Sequence, residues 1–310
     1  MPRKITVATT SLRPGGGTSS TKKNLAAAER LLTQAAAVEP DIVCLQELFS
    51  LTGIPVAHWP GAAETVPGPT SERIGALAKH FGSYVVCPIL EQKGDRIYNA
   101  SVLIDREGGI EGIYHKIHPT IPELEVGVVP GESVKVFETE FGRVGILVCF
   151  DVVFPDRWRE AKAKGAEIVF WPSAYDGGLP LRSRASDLEL YVVSAMPKSE
   201  CLILDITGYP IASTGNYTDV AWARIDLEKR LFSTDYNMAQ HQAIIGKYGQ
   251  RVNISVLSAE GAFTLESNDP KVTVADIVEE FGLETQQDYF QRSADRQDAA
   301  CRGATTKVQR

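Results

Sequence analysis

Short, continuously apolar runs rich in β-branched residues alternate with helical patterns through the first two thirds of the chain. This alternation restricts it to the mixed α/β class. Strand-like runs fall at 5–10, 41–47, 84–90, 97–104, 110–116, 143–150, 167–173, 191–196, 201–207 and 219–226. Their unbroken apolar character predicts strands covered on both faces. Helical spacing appears at 21–37, where Leu25, Ala28, Leu31, Leu32 and Ala35 share a face. A second helix is predicted over 70–81, ending at Gly82, and a third after Pro155, ending at Gly165; a fourth falls near 182–190. The runs 84–90 and 97–104 flank Lys93-Gly94-Asp95-Arg96, which reads as a hairpin turn. Parallel βα units mixed with hairpins favour sheets layered face to face with helices outside.

Beyond residue 236 the rhythm changes. A strand-like run, Arg251–Ser258, precedes Asp269-Pro270 and a helix ending at Gly282. The expected division is a domain at 1–235 and a C-terminal extension at 236–310, disordered over 302–310. The extension reads as too short and polar for a core of its own. Yet Val272, Val274, Ile277, Val278 and Phe281 give its helix an apolar face. That face must pack on the main domain or on another subunit. A homodimer or higher homo-oligomer, with 251–300 in the interface, is the expectation.

The net charge of −7 and pI near 5.4 argue against nucleic acid or an anionic membrane surface as the main partner. Five cysteines, without a CxxC pair or a His/Cys cluster, are the pattern of a reduced intracellular protein without structural zinc. Met1-Pro2-Arg3-Lys4-Ile5-Thr6-Val7 enters a strand directly, without the apolar core of a signal peptide. No apolar stretch approaches the ~20 residues of a membrane span. The expected compartment is the cytoplasm.

Three of the strand ends carry chemistry. Val144-Gly145-Ile146-Leu147-Val148 runs into Cys149-Phe150-Asp151, Ile42-Val43-Cys44-Leu45-Gln46 into Glu47, and Gly112-Ile113-Tyr114-His115 into Lys116. In open α/β layers, sites are built where strands hand over to loops. A thiol attacks a carbonyl or nitrile carbon as thiolate, so its pKa must fall or a base must take its proton. The charge that develops on the substrate needs a fixed donor or cation. Cys149, Glu47 and Lys116 supply nucleophile, base and cation, with no metal and no cofactor. His118 is the rival base nearby. Taken singly, each has an ordinary reading: Cys149 as a core thiol, Glu47 and Lys116 as solvated strand ends. Asp151 reads as structural, satisfying backbone donors at its turn. Asp156 suits the first turn of the helix after Pro155. Phe49, Phe154, Trp171 and Tyr175 follow strand ends and either line a pocket or pack in the core.

The segments Leu45-Gln46-Glu47-Leu48-Phe49, Tyr114-His115-Lys116-Ile117 and Gly142 through Asp151, followed by Phe154-Pro155-Asp156, resemble the signature segments of the nitrilase superfamily of carbon–nitrogen hydrolases. They occur in that family's order, and the resemblance covers roughly 4–230. It implies a four-layer αββα sandwich and hydrolysis of an amide, N-carbamoyl or nitrile substrate through a thioester. Cys149 would be the nucleophile, Glu47 the general base and Lys116 the stabiliser of the tetrahedral intermediate, with the Phe150 N–H as second donor. Lys116-Ile117-His118-Pro119-Thr120-Ile121-Pro122-Glu123 fits a family pattern whose second glutamate, here Glu123, positions substrate or leaving amine. The expected substrate-binding residues are Phe150, Phe154, Trp171 and Tyr175, around a small molecule. The resemblance also implies dimers in which helices near the site associate.

One stretch departs from the family. Leu188 and Met196 stand where members often carry asparagines. Phe150-Asp151 after the nucleophile favours amide or N-carbamoyl substrates, because nitrile-cleaving members commonly have Trp-Glu there. The Pro-Thr-x-x-Glu segment is common in true nitrilases and points the other way. The remaining alternative is a catalytically silent ligand-binding protein on the same scaffold.

Overall fold

The computed structural model describes residues 2–13, 19–198 and 200–303. The expectation of disorder over 302–310 falls outside the described residues from 304 onward, while Arg302 and Gly303 form the turn that ends the last helix. The chain divides into two compact units, Ile5–Ile225 and a second made of Met1–Lys4 with Asp226–Arg310.

In the larger unit the strands, in chain order, are β1 (Lys4–Thr10), β2 (Ile42–Cys44), β3 (Tyr84–Lys93), β4 (Arg96–Ile104), β5 (Ile110–His115), β6 (Val136–Glu138), β7 (Arg143–Ile146), β8 (Ile168–Pro172), β9 (Tyr191–Ala195), β10 (Leu202–Leu204), β11 (Pro210–Ser213) and β12 (Val220–Asp226). The helices are α1 (Thr21–Ala35), α2 (Pro69–Phe81), the short α3 (Ile121–Glu125), α4 (Pro155–Ala163) and α5 (Gly178–Leu188). One sheet runs β12-β1-β2-β3-β4-β5 and the other β11-β10-β9-β8-β7-β6. In each, the central pairs are parallel (β1-β2-β3 and β7-β8-β9) and the flanking hairpins antiparallel.

The layering follows from which faces are apolar. Ala28, Leu31, Leu32 and Ala35 of α1 and Ile74 and Ala78 of α2 share one core with Val43, Val85, Cys87 and Val102 of the first sheet. On the second sheet, Gly145 of β7 lies close against Ala161 of α4, and Trp158 of that helix is fully buried. The two sheets meet directly: Thr9 Oγ1 donates to Ser194 O across them at 2.5 Å, and the Cys201 thiol donates to Thr10 O at 3.5 Å. The result is the expected four-layer αββα sandwich. Local signals set the helix ends. Ser20 caps α1 by accepting from Lys23 N–H, and Gly82 closes α2 with φ +63°, a left-handed cap that glycine adopts without a Cβ clash. The fourth helix starts at Gly178, earlier than its sequence pattern indicates. Among the described residues no helix is long and apolar enough to cross a membrane.

The strands are shorter than their apolar runs, and this matters for the site. β2 stops at Cys44, β7 at Ile146 and β5 at His115. Glu47, Cys149 and Lys116 therefore sit in the loops just beyond strand ends rather than closing the strands.

The smaller unit corrects the reading of 236–310 as an extension without a core. It begins at Asp226 and contains β13 (Arg230–Ser233), β14 (Val252–Leu257) and β15 (Ala262–Ser267), in the antiparallel order β13-β15-β14. With them are α6 (His241–Tyr248), α7 (Val274–Phe281) and α8 (Gln286–Cys301). Phe232, Ile244, Tyr248, Phe263, Leu265, Val274 and Ile277 form one buried cluster, with Val272, Val278 and Phe281 packed against it. The apolar face of α7 is thus covered inside its own unit, which removes that ground for placing it at a subunit interface. Two features make the core. β13 enters from before residue 236, and the β15 run Ala262-Phe263-Thr264-Leu265 fills the middle of the sheet. Phe263 is 1% exposed and stacks on Phe232 at 5.2 Å. Truncating it in Phe263→Ala is expected to destabilise this unit by about 3–5 kcal/mol. A urea titration checks this; an unchanged midpoint contradicts the packing described.

Candidate active site

Cys149 opens a 3-10 turn, Cys149–Val153, directly after the buried Leu147 and Val148. Its φ is +47°, a left-handed backbone that a non-glycine residue adopts at a cost of order 1–3 kcal/mol. The surroundings hold it there. Trp171 Nε1 donates to Cys149 O at 3.0 Å. Asp151, wholly buried, accepts from Val148 N–H at 2.9 Å, from Tyr114 Oη at 2.7 Å and from His118 N–H at 3.0 Å, and contacts His118 Nδ1 at 2.9 Å. Asp151 is therefore the structural acid of this turn, joining the Cys149 turn to the loop after Lys116. The Phe150 N–H lies in the opening turn, where N–H groups lack acceptors within the segment.

Lys116 is 1% exposed, and its Nζ donates to Glu47 Oε1 at 2.8 Å and to Glu123 Oε2 at 2.7 Å. Burial opposes the ammonium charge, but Glu47, Cys149 and Glu123 outweigh it, so the lysine is held above its ordinary range and stays charged. Glu123 sits in the first turn of α3, where its Oε2 also accepts from Thr120 N–H at 2.7 Å and Thr120 Oγ1 at 2.8 Å. Burial raises its carboxyl, but Lys116 and the donors from Asn99 and Thr120 prevail, and it lies below the usual carboxylate range. Asn99 on β4 donates from Nδ2 to both acids, to Glu47 Oε1 at 2.8 Å and Glu123 Oε1 at 2.7 Å. Sequence reasoning missed this residue. Its signal was a single asparagine inside the apolar β4 run.

The thiol completes the cluster. Cys149 lines the same cavity as Glu47, Lys116 and Ala174, and these groups act on its thiol. Burial pushes its pKa up and the Glu47 charge adds to this, while Lys116 and the Ala174 N–H pull it down without prevailing. The resting thiol is protonated at neutral pH, beside an acceptor for its proton. Of the two routes to a nucleophile, the site is built for transfer to a base rather than for a free thiolate.

Glu47, Lys116, Glu123 and Cys149 line one cavity of about 620 Å³. Much of its wall comes from the segment after β2, through Leu48, Leu51, Ile54, Val56 and Trp59. That segment is pinned by Asn24 Nδ2, which donates to Ser50 O at 2.9 Å and Thr52 O at 2.8 Å, and by Gln46 Nε2, which donates to Thr52 Oγ1 at 2.9 Å. Thr120, Pro122, Ala174, Pro197 and Lys198 close the lining.

None of the four aromatics expected around the substrate lines this cavity. Trp171 is fully buried, with its N–H engaged by Cys149 O. Phe154 stacks flat on His118 at 3.5 Å, and Phe150 meets Phe154 edge-on. Tyr175 packs its ring edge against Trp171 and is 42% exposed. They support the turns that carry Cys149 rather than forming the cavity wall. Phe49 is likewise core. His118, engaged by Asp151 and Phe154, is outside the cavity lining. Asp156 sits in the first turn of α4, paired with Arg159. Leu188 and Met196 are not among the lining residues either.

The lowered Glu123 carboxyl makes a pH prediction. Its contribution to stability is complete above the unfolded value of about 4.3 and is lost as pH falls through the lower folded value. The stability gap between the parent and Glu123→Gln should therefore narrow on acidification from neutral pH. Urea titrations across that range check it, and a gap that widens on acidification contradicts it.

A family model described as carbon–nitrogen hydrolase matches residues 6–230. The omega-amidase NIT2 of Xenopus tropicalis is 29% identical over 234 residues, covering 66% of this chain and 84% of that protein. N-carbamoylputrescine amidase of Arabidopsis thaliana is 35% identical over 159 residues, 49% of this chain and 53% of that protein, so the chain spans about half the length of that relative. Among solved structures, Saccharomyces cerevisiae Nit3, a member of branch 10 of the nitrilase superfamily, is similar with a TM-score of 0.65 and 25% identity, over 80% of this chain and 97% of that one. An amidase from Nesterenkonia sp. shares the fold with a TM-score of 0.60 at 19% identity, over 77% of this chain and 95% of that one. With the match spanning the whole sandwich, the chain belongs to the carbon–nitrogen hydrolase family.

Proposed function

We propose that the protein hydrolyses the carbon–nitrogen bond of a small amide or N-carbamoyl compound through a thioester on Cys149. The observation that carries this reading is the convergence of Cys149, Glu47 and Lys116 on one cavity, with the Glu47 carboxylate held by the buried Lys116 ammonium at 2.8 Å. The relatives named omega-amidase and N-carbamoylputrescine amidase support an amide or carbamoyl substrate.

The residues act in a set order. Glu47 takes the thiol proton as Sγ bonds to the carbonyl carbon. The carbonyl oxygen becomes an oxyanion, and Lys116 Nζ and the Phe150 N–H donate to it. Glu47 then gives its proton to the leaving nitrogen, the carbon–nitrogen bond breaks and the amine departs, leaving a thioester. Water takes the vacated place. Glu47 removes a proton from it as its oxygen adds to the thioester carbon. The carbon–sulfur bond breaks, the acid leaves, and the proton on Glu47 returns to Cys149. Glu123 and Asn99 keep Glu47 and Lys116 in register throughout.

Two substitutions test the roles. Cys149→Ala is expected to abolish ammonia release from a panel of amides and N-carbamoyl compounds while the fold persists, whereas Cys87→Ala, outside the cavity lining, retains it. Normal turnover by Cys149→Ala contradicts the mechanism. Lys116→Met keeps much of the stem and removes the charge, and loss of one such stabiliser typically lowers the rate by about 10²–10³. Steady-state kinetics at saturating substrate checks this; an unchanged rate removes Lys116 from its role.

A further inference from the structure

We propose that the protein carries a second small-molecule site, a pocket for a phosphoryl dianion, set behind the catalytic cluster on the opposite face of β4 and β5. It goes beyond the hydrolytic reading and does not depend on it.

The two faces follow from the strand period. Successive side chains on a strand point to opposite sides of its sheet. Val85, Cys87 and Ile89 of β3 and Val102 and Ile104 of β4 belong to the core shared with α1 and α2, and Ile113 of β5 packs against it. The same alternation brings Glu91, Tyr98 and His115 to that face. Their contacts agree: His115 Nε2 meets Glu91 Oε2 at 2.5 Å, and the His115 ring stacks on Tyr98 at 4.3 Å. The chain neighbours Asn99 and Lys116 turn the other way, into the catalytic cluster.

A cavity of about 290 Å³ opens on this helix-side face and shares no lining residue with the catalytic cavity. Tyr98 and His115 line it, with Lys93 from the end of β3 and Glu132, Ser133 and Lys135 from the segment that leads into β6. The charges around it do not cancel. Glu91, 4% exposed, is matched by His115. Among the described residues neither Lys93 nor Lys135 has an ion-pair partner. Glu132 is the acid in the lining. Tyr98, then Asp95 and Glu132, raise the exposed Arg96 guanidinium above its ordinary value, so Arg96 offsets the Glu132 charge. Two ammoniums are left over, on a chain whose net charge is −7.

That surplus selects the ligand. A single carboxylate would leave one ammonium without a partner. A phosphoryl group carries about 1.5–2 negative charges at neutral pH and presents three acceptor oxygens. Lys93, Lys135 and the Ser133 hydroxyl can each donate to it, the lysines in charge-assisted hydrogen bonds. The cavity is at the small end for a ligand site, which suits inorganic phosphate or a small phosphate monoester. Its wall is also fixed in place. Gly131, at the head of the lining segment, donates its N–H to Lys116 O at 2.8 Å, and a Cβ there would clash with His115 O. The glycine thus fastens the segment bearing Ser133 and Lys135 to the strand end that carries the catalytic lysine.

The experiment is a calorimetric titration of the full chain with inorganic phosphate at constant ionic strength and neutral pH. Saturable binding is expected. Lys93→Ala or Lys135→Ala should weaken it by about 10–100-fold, the range of one hydrogen bond to a charged group. Lys93→Arg should retain it, and Glu132→Gln should tighten it. Cys149→Ala should bind phosphate as the parent does, because the catalytic cavity is not involved. Glycerol phosphate bound more tightly than phosphate assigns the site to an esterified phosphate, and equal affinity assigns it to the free ion; both uphold a phosphoryl site. Acetate or succinate bound as tightly as phosphate overturns the choice of ligand. Absence of saturable phosphate binding, or an affinity unchanged when Lys93→Ala and Lys135→Ala are combined, overturns the site itself.

Discussion

A lysine ammonium taken out of water and held between two carboxylates is the constraint on which the site depends. Removing such charges from solvent is costly, and their attraction compensates only with good geometry and every remaining donor and acceptor satisfied. Here the arrangement is close to complete. Lys116 reaches both acids, Asn99 bridges them, and Thr120 adds two donors to Glu123. Lys116 comes from beyond β5, Asn99 from β4 and Glu47 from beyond β2 of one sheet, and Glu123 from the first turn of α3. The cluster fixes those loops relative to one another, and the sheet fixes the cluster.

Cys149 arrives from the other sheet. Its left-handed turn, with Asp151 accepting from Val148, Tyr114 and His118, brings Cys149 to the cavity that Glu47 lines. The electrostatics of the meeting point explain the division of labour. Burial raises the thiol pKa most and the Glu47 charge adds to it, outweighing the Lys116 ammonium, so the thiol keeps its proton until a substrate arrives. A nucleophile generated only on demand avoids leaving an unpaired thiolate in an apolar cavity. Lys116, charged throughout, is already in place when the oxyanion forms, so little reorganisation is needed during reaction.

The layered α/β architecture was legible in the sequence because both faces of its strands are covered and their runs are continuously apolar. The reactive residues were legible because charged or nucleophilic side chains terminate such runs. The strand ends themselves were misjudged by one to four residues: Leu45, Gln46, Leu147 and Val148 are as apolar or as buried as the strands they follow, although their backbones have left the ladder. Asn99 was hidden because a polar residue in a strand gives no periodic signal. The wall-forming residues from Leu48 to Trp59 lie in a segment of 3-10 turns, where apolar side chains follow no period. The smaller unit was missed because β13 is four residues long and lies before the point where the rhythm changes. The aromatics after strand ends were overvalued as ligand contacts: a large ring next to a strained turn is as useful for bracing the nucleophile as for touching substrate.

The central claim is that one covalent thioester lies between the two halves of the reaction. Hydroxylamine competes with water for such an intermediate and converts it to a hydroxamate. For two substrates that share an acyl group and differ in leaving group, an amide and the corresponding ester, the ratio of hydroxamate to acid at fixed hydroxylamine is the decisive measurement. A common Cys149 thioester predicts the same ratio from both. A ratio that changes with the leaving group, or turnover without any hydroxamate, contradicts the account.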